Sequence, residues 1–180
     1  MLIPGRTESC PVREYATITR MASPHDRLRD LGLELPSPPA ALAAYVPTRT
    51  VPVGDGRALV FIAGQVPMRE GKPLYSGAVP EPVSLEQAQE CARLCALNLL
   101  AQLEAAAGLE RVEQIAQLTG YVLSQEGFGQ QPQVINAASE LLAEVLGEAG
   151  KHSRAAVGVN ALPASVPVEI AAIAVVRPRS

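Results

Sequence analysis

Arg154 and Glu169 are the residues whose type and placement first suggest chemistry. They stand in "HSRAAVGVNALPASVPVEIAAIAVV", residues 152 to 176, a stretch otherwise almost free of charge. It reads as two apolar strands joined at Leu162-Pro163. A guanidinium on a strand, among small residues, can fork onto a carboxylate through two parallel hydrogen bonds. That is the grip a site needs for an amino or keto acid. An Arg at a strand end can equally snorkel to solvent. Glu169 shares one face of the last strand with Ala171, because strand side chains alternate. A buried acid there needs a partner. The partner is an Arg or backbone amide of the fold or of another copy; as a functional group, the acid would carry a proton or hold a water.

Other candidates are weaker. Cys91 and Cys95 lie four apart on one predicted helix, but a metal would need further ligands, and the two histidines, His25 and His152, are far off in sequence. Small buried thiols are the simpler reading, so no metal and no cofactor is expected. His152, beside Ser153 and Arg154, is a candidate base; a loop histidine on a solvated turn fits the same pattern. Gly54-Asp55-Gly56 is a turn rather than a phosphate cradle, since no helix follows it. Neither a Gly-x-Ser-x-Gly elbow nor a P-loop nor a GxGxxG fingerprint occurs.

The elements that must position these residues follow from composition and period. With 180 residues, 48% hydrophobic and 18% charged, the chain can build one ordinary core. Aromatic residues make up only 3%, so Ala, Val and Leu must pack it. The net charge of -3, without a Lys/Arg block, lacks the footprint of a nucleic-acid binder. Three cysteines make no disulfide framework and suit a reducing cytoplasm. No apolar run approaches the roughly 20 residues of a membrane span. Residues 1–20 show no period, and Met21 follows; they are expected to be an unstructured extension before a single domain spanning 21–180.

"DRLRDLGLEL" forms a short helical or turn segment, and "PSPPAALAAYVP" breaks regularity. "RTVPV" and "RALVFIAGQVP" flank the Gly-Asp-Gly turn as a hairpin. Ser84 and Gln87 make a capping box for a long helix that Gly108 stops. "RVEQIAQLTGYVLS" is a strand, and a second amphipathic helix opens at Pro132 and closes near Gly147. The order β-β-α-β-α-β-β predicts an α+β domain, a mixed β-sheet with two helices packed on one face.

"FIAGQVP", "VINAASELLAEV" and the Arg-x-x-Val-x-Val-x-x-Leu-Pro…Val-Glu-Ile signature from Arg154 to Ile170 together resemble the YjgF/RidA family, also called the endoribonuclease L-PSP family. The resemblance runs from about Asp26 to Arg177 and is strongest to a branch of longer members. It implies a chorismate-mutase-like subunit and a homotrimer with clefts between subunits. It also implies hydrolysis of 2-imino and 2-aminoacrylate intermediates to 2-oxo acids and ammonia without metal or cofactor. On that resemblance Arg154 is the carboxylate grip, Tyr45 a cleft Tyr, and Asn136 a helix Asn near the cleft. Gly64 and Gln65 match the Ser-Gly-Gln turn, with Ala63 in place of Ser, and backbone groups near Gly64 and Ala155 help orient water. Two departures stand out. The deaminase branch carries Glu-Ile-Glu on its last strand, the second Glu holding water, where this chain has Glu169-Ile170-Ala171; Ala156 replaces a frequent Cys. The expected function is therefore a deaminase of weakened activity or a non-catalytic binder of small 2-oxo acids. An endoribonuclease is the least expected, because a chain of charge -3 without a basic stripe is a poor phosphate binder.

Overall fold

Ser23 opens the first helix, α1 (Pro24–Asp30), through a capping box with Asp26, and a proline stands in the first turn where its missing N–H costs nothing. The computed structural model describes residues 22–40, 44–69 and 71–177. The expected extension, residues 1–20, lies outside the described residues. After α1 the chain forms the hairpin β1 (Thr48–Gly54) and β2 (Arg57–Gln65), turning at Gly54-Asp55-Gly56 with all three residues at positive φ. A two-stranded ribbon of β3 (Met68–Arg69) and β4 (Lys72–Pro73) then follows, at the start of the Gly- and Pro-rich stretch from Met68 to Pro82.

Helix α2 (Leu85–Ala106) begins at the predicted capping box: the Gln87 amide nitrogen donates to Ser84 Oγ at 3.3 Å and the Ser84 amide to Gln87 Oε1 at 3.0 Å. Gly108, at φ 92°, lets the chain leave the helix toward β5 (Val112–Leu123). Helix α3 (Gln131–Leu146) ends at Gly147, with φ 65°. Strands β6 (Ser153–Val159) and β7 (Val168–Val176) close the chain.

The five-stranded sheet has the order β1-β2-β7-β5-β6. Only β5 and β6 pair in parallel; the other neighbours are antiparallel, so the sheet is mixed. Helices α2 and α3 cover one face, and α1 packs on α3 as a third helix. Residues 168 to 176 alternate buried and half-buried without exception, the buried set (Val168, Ile170, Ala172, Ala174, Val176) facing the helices. Small residues make the close approach possible. Gly120 on β5 leaves room for Ile135 of α3, whose Cδ1 would stand 2.5 Å from a Cβ there.

The last two strands are not neighbours: β7 inserts between β2 and β5, while β6 forms the sheet edge. Accordingly β6 is not sheet core. Its residues are exposed or half-buried throughout, although its Ala, Val and Gly composition resembles that of a central strand.

Candidate functional site

Face assignments decide what the candidate residues can meet. Arg154 pairs in register with Leu118, and Ala156 with Gly120. Leu118 and Gly120 are buried under the helices, so Arg154 projects from the sheet edge to the helix-covered side. There Arg154 Nη1 donates to Asn136 Oδ1 at 2.9 Å and to Ser139 Oγ at 3.0 Å, both on α3. Asn136 and Ser139 are three apart and share one helix face. The two Nη1 hydrogens are thereby committed, while Nε and Nη2 keep three donors in a planar fork. No carboxylate among the described residues pairs with Arg154. A guanidinium fixed by two neutral oxygens, with no counter-charge among the described residues, has donors that can receive an anion.

The network continues beyond Arg154. Ser139 Oγ lies 3.0 Å from His152 Nε2, and His152 Nδ1 lies 2.7 Å from the carbonyl oxygen of Gly150. A carbonyl only accepts, so Nδ1 carries the proton, Nε2 is the acceptor and Ser139 donates to it. Burial, with the Arg154 charge adding to it, outweighs the Gly150 carbonyl and holds the imidazole below its ordinary pKa of 6.5. His152 is neutral at pH 7. Sequence reasoning singled out His152 but missed Ser139, although its spacing from Asn136 was the available signal.

Tyr45, Gly64 and Gln65 gather elsewhere. They line a cavity of about 820 Å³ beneath the 34–40 segment and α2. Its walls are fixed by buried amides that the sequence reading did not pick out: Asn98 donates to the Val66 carbonyl at 3.0 Å and Gln102 to the Pro39 carbonyl at 2.6 Å. Gln65 is itself buried and donates to the Ala63 carbonyl at 2.9 Å. Asn136 thus joins Arg154, whereas Tyr45, Gly64 and Gln65 do not. Two strands, β7 and β5, separate β2 from β6, which at the usual spacing is roughly 14 Å. Ala155 is next to Arg154 on β6, with its side chain turned to the opposite face.

Glu169 and Ala171 also face the uncovered side of the sheet, opposite Tyr121 and Thr119. In one chain, residue 171 and the Arg154 side chain therefore lie on opposite faces. The Glu169 carboxylate occupies the space beside Gly64 where a Cβ would stand, at the irregularity between Ile62 and Gln65. It makes no hydrogen bond or ion pair with a described residue, and burial raises its pKa above 4.5. Neither expected intramolecular partner, Arg or backbone amide, is there.

The cysteines Cys91 and Cys95 are free and buried. Burial pushes the Cys91 thiol up to about 12 and raises that of Cys95 well above its ordinary value. They are inert packing groups. Among the described residues no cluster of His, Cys, Asp or Glu is arranged to hold a metal ion, and no helix is long and apolar enough to cross a membrane.

Comparison with known proteins adds to this geometry. Residues 25–172 match the family described as "YjgF/chorismate_mutase-like, putative endoribonuclease". The chain is 36% identical over 148 residues to Protein TCP17 of Trypanosoma cruzi, covering 81% of this chain and 89% of the relative. Atu1372 of Agrobacterium tumefaciens shares 41% identity over 85% of this chain and 92% of that one, with a TM-score of 0.75. E. coli TdcF, solved with bound serine, shares 25% identity over 79% and 93%, with a TM-score of 0.50.

Proposed function

We propose, since the chain belongs to the YjgF/chorismate-mutase-like family, that it holds a small 2-oxo or 2-imino acid by its carboxylate on Arg154 and hydrolyses the imine to a 2-oxo acid and ammonia. The observation that carries this reading is the Arg154 fork, oriented by Asn136 and Ser139 and unmatched by any described carboxylate. A relative solved with bound serine supports the ligand class, because serine offers the same carboxylate. An imine held this way needs a positioned water and a proton acceptor.

A homotrimer with clefts between copies fits the distribution of the candidate residues. The Tyr45–Gly64–Gln65 cavity and the Arg154 network lie too far apart in one chain to touch the same small acid. A second copy laid against the sheet edge would bring the two together. The uncovered sheet face is apolar for a free surface: Phe61 is 40% exposed and Val157 44%, with half-buried Leu59, Ile173 and Val175 between them. Such a face favours association with other copies. A sedimenting species of three chain masses is expected. The buried, reduced thiols accord with a cytoplasmic setting.

Ala171 favours a second reading, a 2-oxo acid binder without turnover, because the acid that would hold water is missing from the last strand. Cleavage of RNA has less support, given a net charge of -3.

Calorimetric titration of pyruvate into wild type, Arg154→Lys and Arg154→Ala tests the clamp. Lys offers a point charge and no fork, so affinity should fall about tenfold or more, equivalent to about 1.4 kcal/mol. Arg154→Ala should nearly abolish binding with the fold intact. Equal affinity in wild type and Arg154→Ala would leave Arg154 a solvent-facing strand-end arginine.

A further inference from the structure

We propose that Ser139 and His152 form the proton relay of the Arg154 site. The inference rests on the carboxylate clamp proposed above and supplies the proton acceptor that Ala171 does not. Four groups stand in one chain of hydrogen bonds: Arg154 Nη1, Ser139 Oγ, His152 Nε2 and the Gly150 carbonyl, at 3.0, 3.0 and 2.7 Å in succession. Their polarity runs one way. Arg154 donates to Ser139, Ser139 donates to His152, and His152 donates to Gly150. Ser139 Oγ has a second lone pair, which is available to a water. The Arg154 charge at this oxygen favours any negative charge it gathers as a proton passes.

The reaction balances with water as the co-reactant. A water oxygen bonds to C2 of the protonated imine while the C=N π pair moves to nitrogen. The water gives a proton to Ser139 Oγ as Ser139 gives its own to His152 Nε2. The product of this step is a neutral carbinolamine beside an imidazolium, whose Nδ1–H stays on Gly150. The relay returns the proton to the amine nitrogen. The C–N bond breaks with its pair going to nitrogen, the hydroxyl oxygen forms the carbonyl, and its proton passes to the ammonia. The sum is protonated imine plus water giving 2-oxo acid plus ammonium, with His152 and Ser139 restored.

The surroundings suit a base that works from the neutral form. His152 is half-buried and held below its ordinary pKa, first by burial. The charged groups on the elements packed around it are few. Arg154 on β6 acts on it directly, Glu148 and Lys151 on the preceding turn pair with each other at 2.6 Å, and Glu140 on α3 is exposed. On β5 the neighbours Gln114 and Gln117 are neutral, and Glu113 is engaged by Arg57 and Arg177. No described carboxylate pairs with the imidazole to keep it protonated at pH 7.

The test pairs turnover with binding. Imines generated by an amino-acid oxidase are the substrate, and pyruvate is the binding probe. His152→Asn keeps an amide able to donate to Gly150 and removes the Nε2 base. It should lower kcat about 10²-fold or more, with pyruvate affinity within about threefold of wild type. Wild-type kcat/KM should fall as acid protonates His152 below pH 6.5, and His152→Asn should lose that limb. Ser139→Ala should lower kcat similarly, and Ser139→Thr, which keeps the hydroxyl, should recover most of it. A readout without turnover needs no relay variant. In a His25→Gln background, saturating pyruvate should raise the NMR-titrated pKa of His152, because the bound carboxylate offsets the Arg154 charge. Wild-type kcat and an unchanged acid limb in His152→Asn overturn the relay, as does a His152 pKa indifferent to bound pyruvate. Pyruvate binding without imine turnover in wild type also overturns it and leaves the clamp standing. Absence of pyruvate binding overturns the clamp itself, and the relay with it.

Discussion

Ile135 of α3 fills the space where a side chain on Gly120 of β5 would begin, with Cδ1 and Cγ1 at 2.5 and 2.6 Å from that position. The contact sets the depth at which α3 sits on the sheet, and α3 carries Asn136 and Ser139. Gly120→Ala should therefore force the helix outward, at the 1–3 kcal/mol or so typical of an overpacked core. The melting temperature should fall, and pyruvate affinity should fall with it as Asn136 and Ser139 move off Arg154. Gly129→Ala, where nothing lies within 4 Å, is the control and should stay within about 0.5 kcal/mol of wild type. Equal melting curves for the two variants would mean that α3 does not rest on Gly120.

Glu169 gives a pH dependence with a definite sign. Burial raises its folded pKa above the ordinary 4.5, so the fold binds its proton more tightly than the unfolded chain does. The stabilisation this provides is fully present below 4.5 and is lost as pH rises through the folded value. Glu169→Gln should match wild type in melting temperature near pH 4 and exceed it at pH 8. Scanning calorimetry at the two values reads the difference. A lower melting temperature for Glu169→Gln at pH 8 would show that a cation of another copy pairs with the carboxylate.

What the sequence displayed and what it hid divide along chain separation. The Ser84–Gln87 box, the Gly-Asp-Gly turn and the Gly147 stop are local, decided within four residues, and each stands where the pattern predicts. Arg154 was visible by type alone. Its meeting with Asn136, 18 residues earlier, depends on how α3 lies on β5, which no local pattern encodes. The edge position of β6 was invisible for a related reason. Ala, Val and Gly suit an edge strand flanked by helix as well as a central one, and strand order is set by pairing of distant segments. The opposite facing of Arg154 and Ala171 needed the register through β5. The closeness of Glu169 to Gly64 needed the irregularity in β2.

Residue 171 tests whether this face meets ligand in the proposed trimer. A carboxylate introduced there would lie two residues from Glu169 on one face, about 7 Å away. The two acids would raise each other's pKa, and Ala171→Glu should lose melting temperature as pH rises toward 8. If a neighbouring copy brings its Arg154 over this face, the new acid should raise imine turnover by about 10²–10⁴-fold, the usual worth of a positioned acid or base. Steady-state kinetics at pH 7 decides. Unchanged turnover with pyruvate affinity intact would place residue 171 away from the bound acid.

Asn136 offers the sharpest test of the clamp, because its Oδ1 already lies 2.9 Å from Arg154 Nη1. Asn136→Asp keeps the shape and replaces a neutral acceptor with a carboxylate. The guanidinium would then be neutralised from within the chain before any ligand arrives. Being exposed, the new ion pair should add at most about 1 kcal/mol to stability, so the melting temperature should hold or rise slightly. Binding should move much further. A ligand carboxylate would approach a pair of zero net charge and meet a like charge beside its site. Pyruvate affinity should fall at least about tenfold, equivalent to about 1.4 kcal/mol. Asn136→Ala, which removes the orienting oxygen and adds no charge, should lose less. Raising the salt from 0.1 to 1 M shortens the screening length from about 10 to about 3 Å, so it should weaken pyruvate binding to wild type more than to Asn136→Asp. Calorimetry on the three proteins at both salt concentrations supplies the comparison. Undiminished pyruvate affinity in Asn136→Asp would show that the ligand's carboxylate rests on a group other than Arg154.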